Sequence, residues 1–146
     1  MRHASRVTIL LILWCSLANV AYGLDVEDLK KVSSFLALGE GRDSFQRVPQ
    51  KTFTPADTIY LLTIVSWEPV GSPGGRHKML SKWYANGTLV SEVDLKLVFR
   101  NTPVELRNKM LASALGTGKH RVDLYLDGKL YDSQAFEVSE PESRDA

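Results

Sequence analysis

Residues 113–119, Ser-Ala-Leu-Gly-Thr-Gly-Lys, are the stretch of this chain most like a reaction site. Gly-Thr-Gly-Lys ahead of a hydroxyl is how a phosphate-cradling loop ends: glycines let backbone N–H groups wrap the anion and the lysine reaches it. Here Ser113 stands where the first glycine belongs, His120 where the closing hydroxyl belongs, and an alternating strand follows. That loop needs a helix whose first amides point at the phosphate. Without one, the segment reads as a turn feeding a strand.

The other chemical candidates are thinner. Gly71-Ser-Pro-Gly74 lacks the spacing of a nucleophile elbow, and Pro73 would block the helix that must follow it. His77 has no second histidine or carboxylate at ligand spacing nearby, and His120 begins an alternating strand on the face of Val122 and Leu124, the place of a hydrogen-bonded rim histidine. The carboxylates are scattered singly rather than paired for acid–base work. The single cysteine, Cys15, lies in the first 23 residues. The reading is therefore of a chain that is not an enzyme, with no catalytic residue, no cofactor and no metal site.

Those first 23 residues have the parts of a secretory signal: Arg2 and Arg6, an apolar stretch from Val7 to Leu17, and Ala21-Tyr-Gly23 with small residues before a cut. The apolar stretch is shorter than a spanning helix needs, about 20 residues, so no stable membrane insertion is expected after cleavage. The expected location is periplasmic or secreted. About 123 of the 146 residues then remain, enough for one domain. Losing Arg2 and Arg6 takes the basic count from 18 to 16 against 17 acidic residues, a balance that gives no reason to expect nucleic acid. Without disulfides the fold must rest on its core.

The elements that position these side chains read as strands. Asp127-Gly128 sits between two alternating runs and Asn86-Gly87 between two more, and both pairs favour two-residue hairpin turns. Residues 58–67, TIYLLTIVSW, form a continuous apolar run, as a central strand covered on both faces would. Residues 76–85 and 104–112 are further strands. Residues 88–99 alternate, placing Leu89, Val93, Leu95, Leu97 and Phe99 on an expected buried face, with Glu92, Asp94 and Lys96 in water. Asp25 opens a short helical turn, followed by an edge strand ending near Leu38, and residues 40–55 read as irregular. The expected organisation is a signal peptide at 1–23, an N-terminal segment with its edge strand at 24–52, a β-sandwich at 53–138 and a disordered tail at 139–146.

Six to seven short strands with turns every ten or so residues point to an all-β antiparallel sandwich. The Lys82-Trp83-Tyr84 run before Asn86-Gly87, with Gly118-Lys-His-Arg-Val-Asp-Leu-Tyr125 and a closing Phe136-Glu-Val138, resembles the immunoglobulin-like domains of exported bacterial proteins of unknown function. The resemblance covers residues 53–138 and implies Trp83 as the core tryptophan between the sheets. It also implies that the loops at 68–76, at 100–103 and at Asp127-Gly128 meet at one end, offering Arg76, His77 and Arg100 to an acidic partner. The expected function is that of a binding or accessory module acting through contacts with an envelope or extracellular protein. The alternative is a carbohydrate- or cell-wall-binding module whose glycan platform is Tyr84, Tyr125 and Tyr131, read as standing on the outer face.

Overall fold

A computed structural model describes residues 24–143; the expected signal peptide and the last three residues of the expected tail lie outside that range. After a short 3-10 turn, Val26–Asp28, the strands are β1 (Lys30–Glu40), β2 (Ser44–Phe45), β3 (Thr52–Phe53), β4 (Thr58–Ser66), β5 (Gly75–Ala85), β6 (Thr88–Phe99) and β7 (Val104–Leu111). One helical turn, α1 (Ala112–Leu115), precedes β8 (Gly118–Leu126) and β9 (Lys129–Val138). The strands form two sheets, in the orders β2-β1-β4-β7 and β3-β9-β8-β5-β6. This is an immunoglobulin-like β-sandwich. Seven strands are long, and β2 and β3 have two residues each. All pairings are antiparallel except the short one between β3 and β9.

The turn chemistry behaves as its residues require. Asn86 and Gly87 have φ of 49° and 84°, and Asp127 and Gly128 have 50° and 79°, so both hairpins close with two positive-φ residues. The turn at Val26–Asp28 is closed by a capping box between Asp25 and Asp28. The chain then enters β1, which settles residues 30–38 as strand. β1 pairs with β4 from Lys30 to Leu38 and supplies Leu36 to the core, so the sandwich reaches well upstream of Phe53. It is not the outermost strand either, because β2 pairs with its end.

β4 is apolar on both faces for two separate reasons. Ile59, Leu61 and Val65 face inward, in the core with Trp67, Met79, Trp83, Phe99, Val122, Leu124 and Phe136. Tyr60 and Leu62 face outward into a smaller cluster with Ala37, Phe35 and Phe45. That second cluster is roofed by the segment that reads as irregular. Phe45 packs 5.0 Å from Tyr60, and the guanidinium groups of Arg47 and Arg107 each lie 5.1 Å from the Phe45 ring centre. Glu105 binds both arginines at 2.6 Å. The hydrogen bond from Arg47 is the main reason its carboxyl is held below the usual range.

β6 departs from expectation. Leu89, Val93 and Leu95 are 44%, 36% and 42% exposed, and of the expected buried face only Phe99 is fully covered. Val93, Leu95, Leu97 and Phe99 do share the inner face, pairing with the inward Ser81, Met79, His77 and Gly75 of β5. What fails is the cover. The facing sheet has four strands and ends at β7, whose Asn108 lies over β5, accepting from Ser81 Oγ at 2.9 Å. Among the described residues, nothing lies beyond β7 to cover the fifth strand of its partner sheet.

Candidate functional site

Three places hold the residues that the sequence singles out, or ought to have. At the first, the loops at 68–74 and 100–103 and the turn Asp127-Gly128 do come together. Trp67, 1% exposed, is the hub. Its backbone N–H donates to Thr102 Oγ1 at 3.1 Å, its indole N–H donates to the Ser72 carbonyl at 2.8 Å, and its ring stacks on Phe99 at 5.9 Å. Gly74 fits under these rings because it has no side chain: a Cβ there would lie 2.8 Å from Phe99 and Trp67.

This end does not offer His77 outward, which corrects the expected trio. β5 alternates, so Arg76 is exposed while His77 points between the sheets, 4% exposed and 4.7 Å from the Phe99 ring. Its Nδ1 lies 2.6 Å from Asp127 Oδ2 and its Nε2 2.7 Å from the Gly74 carbonyl. Both partners are acceptors, so the ring ties the turn to the loop rather than waiting for a ligand. Arg76 and Arg100 are exposed. A shallow cavity of about 390 Å³ runs between Arg76, Lys96, Val98 and Asp127.

At the second place, the outward face of the five-stranded sheet, two of the three platform tyrosines appear. Tyr84 is directly opposite Arg121, whose guanidinium lies 4.3 Å from the Tyr84 ring centre. Tyr125 is opposite Leu80 and has the Lys82 ammonium 5.2 Å from its ring centre. Each ring therefore already carries a cation on one face. Tyr131 is not with them. A register shift pairs Tyr125 with Leu130 and Leu124 with Asp132, and the extra residue, Tyr131, turns towards the core. Its hydroxyl donates to the Leu29 carbonyl at 3.4 Å, and burial, with the Asp132 charge beside it, pushes its pKa up to about 12.

Next to Tyr131 lies a polar cluster that the sequence did not announce. Asp132 is 8% exposed on the inner face of β9. It accepts from Lys31 Nζ at 2.8 Å, Ser34 Oγ at 2.5 Å and Gln134 Nε2 at 2.9 Å, and Ser34 in turn shares a hydrogen bond with Thr63 at 2.8 Å. Burial by itself would raise the Asp132 pKa; the hydrogen bonds from Lys31, Ser34 and Gln134 outweigh it and hold the carboxyl below its usual value. The cluster joins β1 and β4 of one sheet to β9 of the other. His120 is likewise a structural residue: it accepts from the Asn86 N–H at 3.3 Å, donates to the Gly116 carbonyl at 2.7 Å and meets Phe136 edge-on.

The third place is β6 itself. Among the described residues its outer side pairs with no strand. A bulge at Val90, where Trp83 pairs with Ser91 but Tyr84 with Leu89, disrupts only its first turn-side residues. From Ser91 to Phe99 it is regular. On one face it shows Val93 and Leu95, on the other Val98 at 53% exposure. Native sheets blunt such edges with charges, inward-pointing ones above all, with prolines, bulges or short length, and β6 has the Val90 bulge and outward Glu92, Asp94 and Lys96. The inward positions of β6 here, Val93, Leu95, Leu97 and Phe99, carry no charge and no proline. A signal was present in the sequence: Leu89-Val90 and Leu97-Val98-Phe99 break the alternation by placing apolar residues on both faces at once.

No family model matches the chain, and no curated protein does. Among solved structures, it is similar to an immunoglobulin-like protein from Pseudomonas aeruginosa, at 9% identity over 76% of this chain and 96% of that one, with a TM-score of 0.45. It is also similar to part of the alkylpurine DNA glycosylase AlkC of Pseudomonas fluorescens, solved on DNA containing an abasic site analogue, at 14% identity and a TM-score of 0.45. That match covers 76% of this chain and spans only 30% of the glycosylase. The fold assignment stands on the two sheets and their strand order.

Proposed function

We propose that this chain is an exported, non-catalytic immunoglobulin-like module that acts through protein contacts, and that β6 makes the contact. The observation that carries this reading is the unpaired edge from Ser91 to Phe99, apolar and half-exposed on its inner face. An extended segment of another protein laid along it would gain main-chain hydrogen bonds, while Val93, Leu95 and Val98 would supply side-chain contacts. Two further features support the reading. The four ring nitrogens of His77 and His120 are engaged by the fold itself, so neither histidine is placed to act as a base. Export rests on the leader-like pattern of residues 1–23.

A photo-crosslinking side chain at Leu95 should join the protein to a polypeptide in envelope or culture material, while the same group at Tyr125 should give little. The glycan alternative makes the opposite forecast: retention on cell-wall polysaccharide, lost when Tyr84 and Tyr125, the two tyrosines that share the outer face, are changed to Ser together. Polysaccharide retention with no crosslink at Leu95 would replace the protein-contact reading.

A further inference from the structure

Resting on the protein-contact reading, we infer that the polypeptide received by β6 is β6 of a second copy, paired antiparallel about Leu95. The argument comes from the order of residues along the edge. A strand already paired on one side directs the backbone groups of every second residue to its free side. Antiparallel pairing of β6 with itself must bring those same positions together, which restricts the choice to registers in which opposed residues are an even number apart. In the register centred on Leu95, Asp94 of each copy faces Lys96 of the other, Val93 faces Leu97 and Leu95 faces itself. Beyond these Glu92 meets Val98 and the last pair is Ser91 with Phe99, so the paired stretch begins where the Val90 bulge ends and stops where the strand stops.

Neighbouring registers are worse. Centring on Asp94 sets that carboxylate against its own copy, centring on Val93 sets Asp94 against Glu92, and centring on Lys96 sets two ammonium groups together. Like charges directly opposite on one face are destabilising, and opposite charges favourable. Of these registers only the one on Leu95 sets each Asp94, which already bridges Lys78 of its own copy at 3.1 Å, against the other copy's Lys96, and it keeps Val93, Leu95 and Leu97 in one unbroken apolar row. The same arrangement extends the uncovered inner face of each β6 with that of its copy. It is isologous and closes at two copies, leaving no further edge of this kind for growth.

Sedimentation equilibrium of the purified protein should show a monomer–dimer equilibrium. Leu95→Lys, which sets two ammonium groups on the axis, should give a monomer with native near-ultraviolet circular dichroism. Asp94→Lys alone should weaken the dimer about tenfold or more, and so should Lys96→Asp alone. The double variant Asp94→Lys/Lys96→Asp should recover it. Mixing the two single variants should give a heterodimer tighter than either homodimer, because each then meets its complement at both positions. A dimer insensitive to Leu95→Lys, or a double variant no better than the singles, would overturn the pairing. A protein that stays monomeric while its Leu95 crosslinker captures a different polypeptide would overturn the self-pairing and leave the proposed function standing; no crosslink at all would sink both.

Discussion

Changing Asp132 to Ala takes one carboxylate from between the sheets and removes an acceptor from Lys31, Ser34 and Gln134 at once. Thr63 is fully buried, Ser34 and Gln134 are half-buried, and their shared network ends on Asp132. Hydrogen bonds to a charged group contribute about 1.5–3 kcal/mol, and a buried polar group left unpaired costs about 1–3 kcal/mol. The Lys31 pair adds less, since the Lys31 side chain is 41% exposed and screened by water. Against this, the variant no longer bears the cost of burying the carboxylate. The expected net loss is about 2–4 kcal/mol for Ala, and roughly half of that for Asn, which keeps one acceptor for Ser34. Urea unfolding followed by tryptophan fluorescence should show a lowered midpoint with an unchanged slope. The charge gives the effect a pH signature. Because the folded pKa lies below the ordinary 3.8, the stabilisation is fully present above that value and disappears as pH falls through the folded one. The Asn variant should lack that part of the acid slope. A loss under about 0.5 kcal/mol for Ala, or parallel acid curves for wild type and Asn, would show that the cluster does not join the sheets as described.

Trp83→Ala should cost about 3–5 kcal/mol, since the ring is fully buried against Phe136, whereas Trp83→Phe should cost distinctly less because the indole N–H has no acceptor to lose. Thermal melts of the two side by side check the order, and wild-type stability in the Ala variant would place Trp83 outside the core. Gly74→Ala should destabilise by roughly 1–3 kcal/mol by forcing Trp67 and Phe99 aside, visible as a changed near-ultraviolet tryptophan signal together with a lower melting temperature.

What the sequence reveals and what it hides divide along the range of the interactions. Asn86-Gly87 and Asp127-Gly128 are legible because positive φ is a property of the residues themselves, and it closes both hairpins, although each register shifts a few residues beyond its turn. Trp83 and the two-faced β4 are legible through size and apolarity. The roof over Tyr60 and Leu62 is not, because Phe45 contributes a side chain from a strand of two residues, too short to leave any period. The displaced Tyr131 depends on a single register shift, which strict alternation cannot foresee: one extra residue reverses every face after it.

β6 shows the sharpest form of this division, and it is the strand on which the proposed contact rests. Alternation says which side chains of a strand share a face; it does not say whether another layer lies over that face. Cover depends on how many strands the opposite sheet has, and that number is set by residues far away in sequence, here by the chain ending its first sheet at β7. The apolar face of residues 93–99 was therefore readable, while its half-exposed state was not. A chain that keeps Val93, Leu95 and Leu97 apolar without burying them fully spends hydrophobic surface that folding alone does not use. Val90 bulges the strand at one end, so the edge is blunted there and left regular beyond it, where the five residues 93–97 are complementary to their own reverse about Leu95. On the proposed pairing, the bulge protects one end of the strand and charge complementarity selects the partner over the rest, so a single copy would close the edge without indefinite stacking.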